Sequence, residues 1–121
     1  MGKSYTDLMV WQKAMDLVVE VYSATRTLPK EEMFGLISQM RRAAVSVPSN
    51  IAEGQARKTR GEFKHFLGMA RGSLAELGTQ ATVAERLEML PTDVAKQLHD
   101  QITQVARMLN ALLTSLDSAN P

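Results

Sequence analysis

The sequence predicts an all-α protein, an antiparallel four-helix bundle with up-down-up-down topology. Apolar residues recur at spacings of three and four along four segments, and no segment alternates apolar and polar residues long enough to form a strand. Methionine occurs 8 times whereas aromatic residues make up only 5%, and this balance favours helices over sheets. Short turns between segments of about 20–28 residues predict the bundle. The 121 residues suffice for a single domain, residues 1–121.

The first helix carries two apolar stripes on different faces. A bundle core needs one stripe, and a second apolar face on a helix indicates an interface. We therefore predict that the second stripe forms the contact between copies of the chain, and a wider core within one chain is the alternative. The stripe predicted to face the core contains Leu8, Trp11, Met15, Val18 and Tyr22. The predicted oligomer interface contains Val10, Ala14, Leu17 and Val21.

The second helix is predicted to begin directly after Pro29, because Glu31 and Glu32 would then lie in its first turn and complement the helix dipole. Pro48 lies inside the helical pattern, lacks a backbone donor and clashes with the carbonyl group four residues earlier. We therefore predict a second helix that is kinked or broken at Pro48. The apolar stripe of this helix contains Met33, Ile37, Met40, Ala44, Val47 and Ile51.

The third and fourth helices have recognisable start signals. Thr59 with Glu62 matches a capping box, and Thr92 is the predicted cap of the fourth helix. Glycines in the third helix each cost roughly 1 kcal/mol relative to alanine. Antiparallel pairing places Gly68 and Gly72 opposite small residues of the second helix, so we predict a close approach of the two backbones there. Tolerated surface glycines are the alternative.

Two segments carry the signature of one protein family. The first is SQMRRAAVSVPSNIAEG at residues 38–54, and the second is FKHFLGMARGSLAEL at residues 63–77. On these motifs the chain resembles, over nearly its whole length, the four-helix-bundle proteins encoded in intervening sequences of 23S ribosomal RNA genes. The start of the chain also fits the pattern F/Y-x-x-L-x-V-W-x-x-A of that family through Tyr5, Leu8, Val10, Trp11 and Ala14.

The resemblance implies a homo-oligomer, typically a pentameric ring, without enzymatic activity. A related protein, the accessory variability protein of diversity-generating retroelements, is a pentamer that binds nucleic acid and a reverse transcriptase. The partner that the resemblance implies is therefore further copies of the chain. RNA or DNA, and a reverse transcriptase or another protein, are candidate partners.

Positive charge is concentrated in one part of the chain. The net charge of the whole chain is +1, but residues 41–72 carry seven Lys or Arg against two Glu. A cationic end on an otherwise acidic bundle suits phosphate backbones, and without an aromatic platform we predict nucleic-acid binding that does not read bases. The alternative is that these charges only solvate a surface turn and bind no nucleic acid. In that case we expect a structural adaptor that recruits a protein partner. The predicted nucleic-acid-binding residues are Arg57, Lys58, Arg60, Lys64 and Arg71.

Several polar residues lie among apolar ones in the second and third helices. Antiparallel pairing places Arg42 opposite Glu76 and Glu53 opposite Lys64, so we predict ion pairs that fix the helix register or the contact between subunits. A catalytic pair of Glu53 and Glu76 is rejected because we expect roughly 30 Å between them. The predicted structural polar network contains Arg42, Ser46, Asn50, Glu53, Ser73 and Glu76.

The sequence offers no pattern for catalysis, a cofactor or a metal. His65 and His99 have no cluster of further ligands around them, the chain has no cysteine, and phosphate-loop, dinucleotide and serine-hydrolase motifs are missing. We therefore predict no enzymatic activity, no cofactor and no metal. Apolar stretches of only a few residues are far short of the roughly 20 that a membrane helix needs. The expected location is the cytoplasm, without membrane contact.

Overall fold

The computed structural model describes residues 4–118, and residues 1–3 and 119–121 of the predicted domain lie outside the described part. The described chain consists of four long helices and two single-turn 3₁₀ helices, and it contains no strand. The all-α prediction is therefore confirmed. The long helices are α1 (Met9–Thr25), α2 (Leu36–Gln55), α3 (Arg60–Arg86) and α4 (Thr92–Ser118). The 3₁₀ helices span Tyr5–Asp7 and Lys30–Glu32.

Each long helix packs against two others, in the cyclic order α1, α2, α3, α4, so the bundle is square in cross-section. Side-chain contacts between neighbouring helices join higher residue numbers on one helix to lower numbers on the other, as antiparallel neighbours do. Across α3 and α4 they join Lys64 with Asp117, Arg71 with Asn110 and Thr82 with His99.

The core stripe of α1 is the one that the sequence analysis assigned to the contact between copies. Leu17 is 0% exposed and Val10 only 5% exposed, and Ala14 and Val21 are buried beside them in the core of the single chain. The prediction that these four residues form the oligomer interface is therefore wrong. The short aliphatic side chains of these four residues fit between closely packed helices. The Trp and Tyr of the other stripe carry polar groups, so they are favoured where part of the side chain stays in contact with water.

The second helix begins later than predicted. Gly35 has φ −111° and ψ −111°, which interrupts the helical path after the 3₁₀ turn. Oε1 of Glu32 accepts a hydrogen bond from the backbone N–H of Leu36 at 3.1 Å and so satisfies one of the free donors at the helix start. From Leu36 the helix continues without interruption through Pro48, so the predicted break is absent. The kink stays a prediction.

The glycine that packing requires is Gly54, not Gly68 or Gly72. A Cβ atom on Gly54 would lie 2.9 Å from Cδ1 of Phe63 and 2.9 Å from Cβ of Phe66. A Cβ atom on Gly68 or Gly72 meets nothing within 4 Å. The prediction of a close backbone approach at Gly68 and Gly72 is therefore wrong, and both are surface glycines within the chain.

Both ends of α3 have defined caps. The predicted capping box is confirmed, because the hydroxyl of Thr59 accepts a hydrogen bond from the N–H of Glu62 at 3.1 Å. At the other end Glu88 has a positive φ of 60°. Its N–H donates to the carbonyl three residues earlier at 2.9 Å, and the N–H of Met89 donates to the carbonyl five residues earlier at 2.8 Å. These two bonds form a Schellman motif, in which glycine usually takes the left-handed position.

Candidate functional site

Four of the predicted nucleic-acid-binding residues lie together at one end of the bundle. They flank or form the turn between α2 and α3, and we call Arg57, Lys58, Arg60 and Lys64 the basic end. Arg57, Lys58 and Arg60 are exposed and Lys64 is half-buried. The fifth residue, Arg71, is exposed about three turns along α3 from Arg60 and is not part of this cluster.

Arg57 is held in place within the chain. Its Nη2 lies 2.5 Å from Oε2 of Glu53, one turn earlier on α2. Its guanidinium carbon lies 4.8 Å from the ring centroid of Phe66 on α3, a distance at which a cation and an aromatic face attract. The arginine therefore links the last turn of α2 to α3.

The last helix contributes acceptors to two of the predicted cationic residues. Lys64 forms an ion pair with Asp117 of α4, and Nη1 of Arg71 donates to Oδ1 of Asn110 at 3.0 Å. The sequence analysis missed both acceptors because they lie far from the basic segment along the chain. An exposed ion pair such as that of Lys64 with Asp117 is worth only about 0–1 kcal/mol, so a phosphate group can replace Asp117 at small cost.

Three of the six predicted polar residues come together between α2 and α3. The hydroxyl groups of Ser46 and Ser73 lie 2.8 Å apart. Nδ2 of Asn50 donates to the hydroxyl of Ser46 at 2.9 Å and to its carbonyl at 2.8 Å. Because all three residues are half-buried, these bonds fix the register of the two helices.

The predicted ion pairs are not formed within the chain. Arg42 and Glu76 are both exposed, and neither has an ionic partner among residues 4–118. Glu53 pairs with Arg57 rather than with Lys64. The pairing of Glu53 with Lys64 was wrong because Arg57 lies one turn away from Glu53 on the same helix and Asp117 of α4 is within reach of Lys64. Arg42 and Glu76 are instead both exposed to solvent.

The two glutamates of the rejected catalytic pair are closer than expected. Gly54 contacts Phe63 and Phe66, so Glu53 is level with about residue 65 of α3. Glu76 is then about 16 Å further along the bundle at 1.5 Å per residue. That separation is shorter than the expected 30 Å and still too long for two carboxylates acting on one bond.

Two kinds of feature are absent from the described part of the chain. Residues 4–118 contain no group of three or more His, Cys, Asp or Glu residues arranged to hold a metal ion. None of the helices in the same range combines the length and the apolar character that crossing a membrane requires.

An apolar groove runs along the face between α1 and α2, and we call it the α1–α2 groove. It consists of two adjoining depressions that share Val45, and none of the residues that line it is acidic. One depression is lined by Tyr5, Trp11, Met15, Val18, Val45, Pro48, Ser49 and Ala52. The other is lined by Tyr22, Met33, Phe34, Ile37, Ser38, Arg41, Arg42, Val45 and Ser46.

One arginine is built into the wall of this groove. The guanidinium carbon of Arg41 lies 4.5 Å from the ring centroid of Tyr22. Its Nε donates to the hydroxyl of buried Thr25 at 2.9 Å, and that hydroxyl donates to the carbonyl of Val21 at 2.7 Å. Near it the side chain of Phe34 is 96% exposed. A protruding phenylalanine beside a fixed cation is a surface suited to binding another protein.

This groove was not predicted, because the stripe that lines it was assigned wholly to the core. Trp11 and Val18 do pack against the core, but Met15 and Tyr22 are exposed. A usable signal was present: the stripe with Trp11, Met15 and Tyr22 contains the large amphipathic and flexible residues that are enriched at interfaces. Phe34 directly before Gly35 was a second signal, because it precedes a helix start rather than lying on a core stripe.

Comparisons with known proteins give one matching family and one matching fold. The model of the 23S rRNA-intervening sequence proteins matches residues 6–111. A crystal structure of a protein of unknown function from the S23 ribosomal protein family of Bacteroides thetaiotaomicron superposes with a TM-score of 0.81 and is 20% identical, over 87% of this chain and 95% of that one. At this identity the structure supports the fold alone. No protein with a curated description matches the chain.

Proposed function

This chain belongs to the family of 23S rRNA-intervening sequence proteins, and we propose that it works as a non-enzymatic, homo-oligomeric binding module. The single observation that carries the proposal is the α1–α2 groove. Tyr22 is 38% exposed, Met33 49% and Phe34 96%. Their depression adjoins the one lined by Trp11 and Met15 through Val45, so the two form one largely apolar surface. Contiguous apolar surface of this kind usually marks a protein contact.

The assembly is tested by measuring its mass in solution. Light scattering at micromolar concentration is expected to give several times the chain mass of 13.4 kDa, and five times that mass for a pentamer. Phe34→Ser is expected to lower the mass, whereas Met9→Ser, which removes an exposed apolar side chain that does not line the groove, is expected to leave it unchanged. A single-chain mass for the unmodified protein would contradict the proposal.

A second candidate function is nucleic-acid binding at the basic end without base reading. It is supported by the exposed positions of Arg57, Lys58 and Arg60 around one turn. One copy offers few phosphate contacts, but an oligomer repeats the same end and binds through several copies at once. The carboxylates of Asp117 and Glu53, which pair with Lys64 and Arg57, reduce the local positive charge and argue for weak binding by each copy.

Salt titration separates this candidate from the adaptor alternative. Each phosphate contact contributes roughly 0.7–0.9 to the slope of log K against log salt, so Arg57→Ala with Arg60→Ala should flatten the slope by up to about 2 for each engaged subunit. Arg86→Ala with Arg107→Ala removes the same charge elsewhere and is the matched control. If the intact oligomer binds neither single-stranded RNA nor double-stranded DNA at low salt, this candidate is wrong and a protein adaptor is favoured.

A further inference from the structure

We propose that the α1–α2 groove of one copy receives the outer face of α3 from the next copy, with Arg42 paired to Glu76 across the contact. The inference rests on the proposed homo-oligomer and names the two surfaces that meet in it. The residues concerned on α3 are one exposed line along the helix, which we call the outer stripe: Met69, Gly72, Glu76, Val83 and Leu87.

The outer stripe has the composition of a buried surface although it is exposed in the single chain. Met69 is 46% exposed, Val83 42% and Leu87 58%, and they follow one side of α3. A Cβ atom on Gly72 would meet nothing within 4 Å, so this part of the helix surface is flat and open to a neighbour. Glu76 is the one charged residue of the stripe, and it has no ionic partner among residues 4–118.

The two surfaces are complementary in charge. The α1–α2 groove is lined by Arg41 and Arg42 and by no acidic residue. The outer stripe contributes Glu76 and no cation. Since Arg41 already donates to Thr25 and lies over Tyr22, the exposed Arg42 is the cation left to pair with a carboxylate from outside the chain.

The two surfaces also match in height along the bundle. The hydroxyls of Ser46 and Ser73 lie 2.8 Å apart, so these residues are level. Arg42 lies four residues from Ser46 and Glu76 three residues from Ser73 in the same direction, about 6 Å and 4.5 Å at 1.5 Å per residue. Arg42 and Glu76 are therefore level within about 1.5 Å. Rotation about an axis parallel to the bundle keeps heights, so these groups are at the same level in neighbouring copies.

The apolar members match in the same way. Met15 lines the groove beside Ser49, three residues after Ser46, and Met69 lies four residues before Ser73, so the two methionines are level within about 2 Å. Leu36 lies ten residues before Ser46, and Val83 lies ten residues after Ser73, so these two residues are also at the same height. Phe34 lies just beyond Leu36. Phe34 of one copy is thus at the level of Val83 and Leu87 of the next.

The placement of the two surfaces also suits a closed ring. The outer stripe flanks Ser73, which contacts Ser46 of α2, so it borders the α2–α3 face of the bundle. In a square bundle the α1–α2 face and the α2–α3 face share α2, and their normals are about 90° apart. Head-to-tail contacts through two such faces close into a ring of about four to five copies, because the faces of a five-membered ring are about 108° apart. Contacts through opposite faces would instead form an open filament.

Charge reversal tests the pair. Arg42→Glu and Glu76→Arg are each expected to lower the mass measured by light scattering towards one chain, and the double variant is expected to restore it. Asp16→Arg, which reverses an exposed carboxylate on the outer face of α1, is the control and should not rescue Arg42→Glu. Far-ultraviolet circular dichroism checks that each variant remains helical. Single variants that keep the full mass, or a double variant no larger than the singles, would overturn the inference.

Cross-linking gives an independent measurement, because the natural chain has no cysteine. Met15→Cys with Met69→Cys should form disulfide-linked chains under mild oxidation, seen as a ladder that ends at the number of copies in the ring. Met15→Cys alone and Met15→Cys with Val19→Cys should remain single chains on the gel. If an oligomer forms but the first pair does not cross-link, the oligomer uses other surfaces; if the unmodified protein is a monomer, the proposed function itself is wrong.

Discussion

The hydroxyls of Ser46 and Ser73 join α2 to α3 at 2.8 Å, and the amide of Asn50 donates to the same Ser46 hydroxyl at 2.9 Å. Ser46 therefore has two partners and Ser73 one. A half-buried hydroxyl with two partners contributes more to stability than one with a single partner, because its removal leaves two groups unsatisfied.

Removal of the Ser46 hydroxyl should therefore destabilise the protein more than removal of the Ser73 hydroxyl. Ser46→Ala is expected to lower the free energy of unfolding by about 1–3 kcal/mol and Ser73→Ala by about 0.5–1.5 kcal/mol. Urea unfolding of both single variants and the double variant measures the coupling between the sites. Additive effects would show that the 2.8 Å contact carries no net stabilisation.

Gly54 should resist substitution while Gly78 accepts it. Gly54→Ala forces a methyl group to within 2.9 Å of Phe63 and Phe66, and such overpacking costs about 1–3 kcal/mol. Gly78→Ala meets nothing within 4 Å and should raise the free energy of unfolding by up to about 1 kcal/mol through helix propensity alone. Thermal melts followed by circular dichroism should shift in opposite directions, and equal shifts would contradict the packing at Gly54.

Glu88→Gly should stabilise the protein. Glu88 has a φ of 60°, a left-handed conformation that costs an ordinary residue about 1–2 kcal/mol and glycine almost nothing. We expect a gain of about 1 kcal/mol in the free energy of unfolding. Glu85→Gly, three residues earlier inside α3, is the control and should lose about 1 kcal/mol. A loss at both positions would contradict the left-handed cap.

The two stripes of α1 should respond differently to a charge. Leu17 is fully buried, so Leu17→Glu is expected to unfold the bundle, because an unpaired carboxylate in a core costs several kcal/mol. Met15 lies in the α1–α2 groove, so Met15→Glu should leave the helical signal intact and lower the mass in solution. Circular dichroism and light scattering on the same samples separate the two effects. If the Leu17→Glu variant were folded but monomeric, the contact between copies would involve the stripe of Leu17 and not that of Met15.

The fold was predictable because its signals are local. The capping box of Thr59 and Glu62 and the spacing of apolar residues along α2, α3 and α4 depend only on neighbours within a few residues. The face assignment on α1 was not predictable from periodicity, because both stripes have helical spacing and only the packing of the other three helices selects one. The partners of Lys64 and Arg71 were missed for the same reason: Asp117 and Asn110 approach only after α4 folds back.

The order in which the helices pack has a consequence for how the chain folds. α1 contacts α2, α2 contacts α3 and α3 contacts α4, and among the four long helices of the described chain only the contact of α1 with α4 joins helices that are not successive. A topology rich in contacts between successive segments is associated with folding in microseconds to milliseconds. The first three helices are able to pack while α4 is still being synthesised, so the seam between α1 and α4 closes last. The same seam is where native-state hydrogen exchange should detect the first cooperative opening.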